Sequence, residues 1–133
     1  MGICELVLQE MNQPDWQIEG GAGRTKVSLD AHRAGDDLVV RLYNDYAHLG
    51  AVAVAQFDAE SGRISVSTIT LPGHKDDAVA QRAAYLIAKA IRKPVCAIAG
   101  IHLDDITPEE IRQLTANAEG VVLEFVGSRA WER

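Results

Sequence analysis

Histidines and paired carboxylates recur at two strand-to-helix corners of this chain. In the first, an extended-looking run over residues 64–71 leads into Pro72-Gly73-His74-Lys75-Asp76-Asp77 and then an alanine-rich helical run over 78–93. In the second, the apolar run 95–101 leads into His102-Leu103-Asp104-Asp105-Ile106 and then Thr107-Pro108-Glu109-Glu110. A helix start exposes unpaired backbone N–H groups and a partial positive charge, so ligand oxygens collect there. Two such corners, each with polar side chains in reach, imply one composite binding site.

The same residues admit other readings. His48, His74 and His102 with Asp76, Asp77, Asp104 or Asp105 have the ligand types of a zinc or iron site. Their spacing is no metal signature, because no two histidines stand four apart on one helix and each comes from a different element. Nucleophilic catalysis is less well supported, since no serine or cysteine sits in a glycine-flanked elbow. A His-Lys-Asp-Asp corner is most often a solvated helix start, and a histidine leaving a buried strand most often bonds a loop carbonyl. His32 reads as a surface residue of a hairpin. Cys96, inside an apolar run, reads as a small core residue rather than a reactive thiol.

A chain of 133 residues is the size of one domain. Aromatics are only 5% of it, so alanine, valine and isoleucine must build the core. The net charge of −6 excludes a basic field for nucleic acid. No apolar run approaches the roughly 20 residues that span a bilayer. Two distant cysteines, Cys4 and Cys96, and no secretory pattern at the N-terminus point to a reduced, cytoplasmic protein.

The elements that must position the corners follow from periodicity. Residues 3–11 fit an edge strand or a short helix, and 20–23 read as a flexible glycine joint, so 1–23 is set apart as an N-terminal segment. Period-two alternation from Arg24 predicts a hairpin of strands around Val27–Leu29 and 38–43, turning at 34–37. Residues 51–57 and 64–71 form a second hairpin about Gly62. A helix over 78–93 ends at Pro94, and the short run 95–101 is a central strand buried on both faces. Thr107 and Glu110 form a capping box, with Pro108 at the first helical position. That helix is expected to run to about Ala118, with a last strand over 121–126 after Gly120 and a frayed tail over 128–133. The expected fold is α+β: an antiparallel β-meander sheet with two helices packed on it, one domain over 24–127.

Ala47-His48-Leu49-Gly50, Pro72-Gly73-His74-Lys75-Asp76-Asp77, and the stretch from Cys96 to His102 with Ile106-Thr107 together resemble the small LpdD family associated with gallate decarboxylase. The resemblance covers roughly residues 24–120. It departs where Ala47 stands in place of an expected proline, and no counterpart is recognised for the segment before Arg24. It implies a fold like that of the proteasome assembly chaperones and a homodimer. It also implies a non-catalytic chaperone that binds reduced prenylated FMN, made by a flavin prenyltransferase, and delivers it to a UbiD-type decarboxylase. On that reading the site residues are His48, Gly50, Gly73, His74, Lys75, Asp76, Arg82, Gly100 and His102, with no catalytic residue and no metal. Lys75 and the start of helix 78–93 would take the phosphate, aided by His74 and Arg82. Asp76 or Asp77 would take ribityl hydroxyls or face away as the helix cap. His48 and His102 would donate to the ring edge or the phosphate, and Gly50 and Gly100 would let backbone approach closely. The other function classes are a dimeric assembly chaperone without a small ligand, and a small metal-dependent enzyme using the His and Asp corners.

Overall fold

Alternating apolar residues make six strands among the described residues. The computed structural model describes residues 13–46, 48–72 and 76–132. Strands β1 (Trp16–Gly20), β2 (Val27–Ala34), β3 (Asp37–Tyr43), β4 (Ala51–Phe57) and β5 (Ile64–Thr70) precede helix α1 (Asp77–Ile91). Strand β6 (Val95–Gly100) and helix α2 (Pro108–Ser128) follow. The sheet order is β1-β2-β3-β6-β4-β5. All ladders are antiparallel except β3 with β6, where Leu38 pairs with Val95 and Tyr43 with Gly100. The sheet is therefore mixed, with β6 inserted between the two expected hairpins rather than extending a pure meander.

Both helices lie on one face. Val27, Leu29, Val40, Leu42, Ala53 and Ala97 are fully buried there beneath Ala84, Ile87, Val121 and Phe125. Small residues on the strands let α1 and α2 sit close to the sheet and to each other. Left-handed Arg92 caps α1, its N–H bonding the Ala88 carbonyl at 2.8 Å, two residues before Pro94.

The opposite face has no helix on it among the described residues. On one half, the buried Asp30 carboxylate accepts hydrogen bonds from Arg41 and from the Tyr43 hydroxyl, both at 3.0 Å. The other half is mixed. Val39, Cys96 and Val54 lie in one cross-strand row that ends at Ser67, Ile98, Val52 and Ile69 lie in the row on one side of it, and Gln56 pairs with Ser65 on the other. Strand β6 is central, as expected, but it is not buried on both faces: Val95, Ala97 and Ala99 are covered, whereas Cys96 and Ile98 are only half-buried. Burial pushes the Cys96 thiol above its ordinary range.

The C-terminal expectation was wrong. Residues 121–126 are not a strand but the second half of α2, which runs unbroken through Gly120. Val121, Val122 and Phe125 fall on the helix stripe that faces the core, and Trp131, in a short 3-10 turn, donates its indole N–H to the Val126 carbonyl. The glycine stretch 20–23 is a packed turn rather than a free joint. Gly20 closes β1, and Asn117 of α2 donates to the Thr25 carbonyl just beyond it. Cys4 and the 3–11 element lie outside the described residues. No helix among those described is long and apolar enough to cross a membrane.

Candidate functional site

The neighbouring parallel strands β3 and β6 end side by side, and the chain beyond each is locked to the other. Asn44, just past β3 and almost fully buried, donates to the His102 carbonyl at 2.7 Å and accepts from the His102 N–H at 3.2 Å. This side-chain amide continues the β3–β6 ladder by one rung, and it sets where His102 leaves the sheet.

The segment before β4 folds over that end. The Gly50 N–H bonds the Ala99 carbonyl at 3.0 Å, and the Gly50 carbonyl accepts from Leu71 at 2.9 Å. Backbone runs so close that a Cβ on Gly100 would overlap the His48 carbonyl oxygen and stand 2.7 Å from its carbon. Only glycine admits this crossing. It brings the rings of His48 and His102 to 5.1 Å between centroids, tilted by 50°.

Asp76 closes the corner from the side of α1. It holds the N-cap position, yet its side chain makes no cap hydrogen bond. The carboxylate instead lies over Gly50, where a Cβ would overlap Oδ2 and stand 2.8 Å from Cγ. His102 Nε2 lies 2.9 Å from Asp104 Oδ1. The Asp104 carbonyl accepts from Arg24, which also bonds Glu110 at 2.8 Å, and Glu110 completes the expected capping box with Thr107. The Arg24 hydrogen bond, followed by that from the Thr107 N–H, holds the Glu110 carboxyl below the usual carboxylate range.

His48, Gly50, Asp76, Gly100 and His102 are thus brought together. Arg82 is not among them. Two turns along α1, it bonds Glu119 of α2 through Nε and Nη2, each at 3.2 Å. Gly73, His74, Lys75 and Ala47 lie outside the described residues. Asn44, Asp104 and Glu119 were missed. Asn44 had one legible signal, a polar residue directly after an apolar strand. Asp104 stood in view as half of an acidic pair. Nothing in the sequence pairs Glu119 with Arg82.

Between α1 and α2 opens a groove of about 520 Å³, lined mostly by apolar residues that include Leu42, Leu86, Ile111 and Val122, with Arg82 and Glu119 among its few polar ones. No corner residue lines it, but Ala78, two residues past Asp76, does. Among the described residues no group of three or more His, Cys, Asp or Glu side chains stands where it could hold a metal ion. The corner offers paired imidazoles, a carboxylate and closely approached backbone, a set suited to binding a polar ligand.

Comparison with known proteins adds a family. A family model described as a prenylated flavin chaperone LpdD-like domain matches residues 21–128. No curated protein matches the sequence. Among solved structures, one described as "Crystal Structure of a Novel Chaperone Complex for Yeast 20S Proteasome Assembly" superposes with a TM-score of 0.55 at 18% identity. The alignment covers 84% of this chain and 92% of that one, a likeness of fold.

Proposed function

Because the chain belongs to the prenylated flavin chaperone LpdD-like family, we propose that it is a non-catalytic cytoplasmic carrier of reduced prenylated FMN that hands this cargo to a UbiD-type decarboxylase. The family match over residues 21–128 carries the reading. The corner is compatible with it. His48 and His102 present ring nitrogens to the ligand, the Nε2 of His102 being held by Asp104, Gly50 and Gly100 let backbone approach, and Asp76 accepts from ribityl hydroxyls. Lys75, aided by His74, remains the phosphate residue proposed from sequence, with Gly73 beside them.

The test is an anaerobic equilibrium titration with reduced prenylated FMN and with reduced FMN. Wild type is expected to bind the prenylated form more tightly. A His48→Ala, His102→Ala variant is expected to lose about tenfold or more in affinity, the worth of one or two hydrogen bonds to an ionised group. Absence of binding by wild type would leave an assembly chaperone without a small ligand, and equal affinity for both flavins would remove the claim of prenyl selectivity.

The carrier is proposed to act as a homodimer closed through the sheet face opposite the helices. Val54 is 48% exposed and Ile69 71% exposed there, beside Val52, Cys96 and Ile98. Exposed apolar rows on a central sheet are the surface that two-fold pairing covers. Val54→Asp is expected to give a monomer in sedimentation velocity with an unchanged far-UV circular dichroism spectrum. A dimer of wild-type stability in that variant would move the interface elsewhere.

A further inference from the structure

We propose that the groove between α1 and α2 seats the fused ring system of the reduced prenylated flavin, with Arg82 and Glu119 reading its polar edge. This rests on the carrier reading and locates the part of the site that the corner lacks. A prenylated flavin needs an apolar wall for its ring carbons, and the corner residues are histidine, carboxylate and glycine. The groove has the complementary character. Its volume of about 520 Å³ lies within the range of small-molecule sites. Leu42 of the sheet, Leu86 of α1 and Val122 of α2 line it, and Ile111 adds a half-exposed side chain. The space exists because Ala83 and Ala118, where larger residues would close the helix contact, are both buried alanines.

The polar pair supplies the orientation. A reduced flavin readily loses its N1 proton and spreads negative charge over N1 and the C2 carbonyl, beside an N3–H donor. A guanidinium next to a carboxylate matches that edge, donating to the charged side and accepting from N3–H. Oxidised flavin carries no such charge, so Arg82 favours the reduced form. The tail is also of the right length. Asp76 and Arg82 are six residues apart, about 9 Å along the helix axis, a span that a ribityl phosphate chain covers as it turns around the helix start. With the ring at Arg82, the tail runs past Ala78 toward the His48–His102 corner.

The test is the anaerobic titration with reduced and oxidised prenylated FMN on three further variants, each checked by circular dichroism. Thr115 is exposed and lines the groove, so Thr115→Trp fills it from the surface; affinity for both redox forms is expected to fall about tenfold or more. Arg82→Met is expected to abolish the preference for the reduced form, and Arg82→Lys to keep part of it. A folded Thr115→Trp protein that binds like wild type overturns the groove while leaving the carrier reading intact. Wild type that binds no reduced prenylated flavin overturns both. Should Thr115→Trp fail to fold, Arg82→Met decides: an unchanged redox preference rejects the assignment.

Discussion

Gly100→Ala is expected to lower the stability of the fold by about 2–4 kcal/mol and, on the proposed carrier reading, to abolish flavin binding with it. The added methyl would overlap the His48 carbonyl oxygen, which is backbone and has no rotamer to move away. Relief requires shifting the segment around His48 off the end of β6, and with it the Gly50 N–H to Ala99 bond and the ring pair of His48 and His102. Gly120→Ala is the matched control. Gly120 lies inside α2 with open space where its Cβ would stand, so the same change there is expected to stabilise by about 0.5–1 kcal/mol. Urea unfolding of both variants measures the pair, with midpoints moving in opposite directions at constant slope. An unchanged midpoint for Gly100→Ala would mean that the crossing at His48 is not tight in solution.

The second large effect is Phe125→Ala. Among the described residues Phe125 is the largest side chain with no exposed surface, and it meets the Trp16 ring edge-on at 5.6 Å between centroids. Truncation leaves a cavity and is expected to cost about 3–5 kcal/mol, a large share of the roughly 5–15 kcal/mol that holds a typical domain together. Because Trp16 is the aromatic of an edge strand, the loss should be local as well as global. Amide exchange across residues 16–20 is expected to speed up more than across β6. Equal acceleration in both strands would show that β1 does not depend on α2.

Phe125 also marks where reading the sequence went astray. Residues 121–126 are rich in β-branched and aromatic types and follow a glycine, which together mimic a strand after a turn. What decided the outcome was tertiary: Leu114, Ala118, Val121, Val122 and Phe125 form one continuous buried stripe along α2. The hairpins, the 77–91 helix and the capping box at Thr107 were legible because each carries local turn or cap chemistry. Insertion of β6 parallel to β3 was not, since ladder partners between distant segments leave no local trace. At the site, the two corners could be picked out because histidines and carboxylates stand beside helix starts. The crossing of His48 over Gly100 and the hold of Asn44 on His102 arise only once β3, β4 and β6 are neighbours. Arg82 was placed with the corner on proximity in sequence, whereas the helical turn carries it to Glu119.

The placement of β6 has a consequence for how the molecule is made. Among the described residues it is the last strand synthesised, yet it is the one that joins β1–β3 to the β4–β5 hairpin. Before residues 95–100 emerge, the nascent polypeptide can form two antiparallel fragments but no common sheet. The inner edges of both, β3 and β4, stay unpaired in that interval, and open strand edges recruit other chains. Closing the sheet waits on a long loop, an entropic cost met only at the end, so folding should be slow and late rather than sequential. A stalled or truncated product ending ahead of Val95 is therefore a pair of adhesive half-sheets, and the growing chain is most prone to aggregation just before β6 emerges.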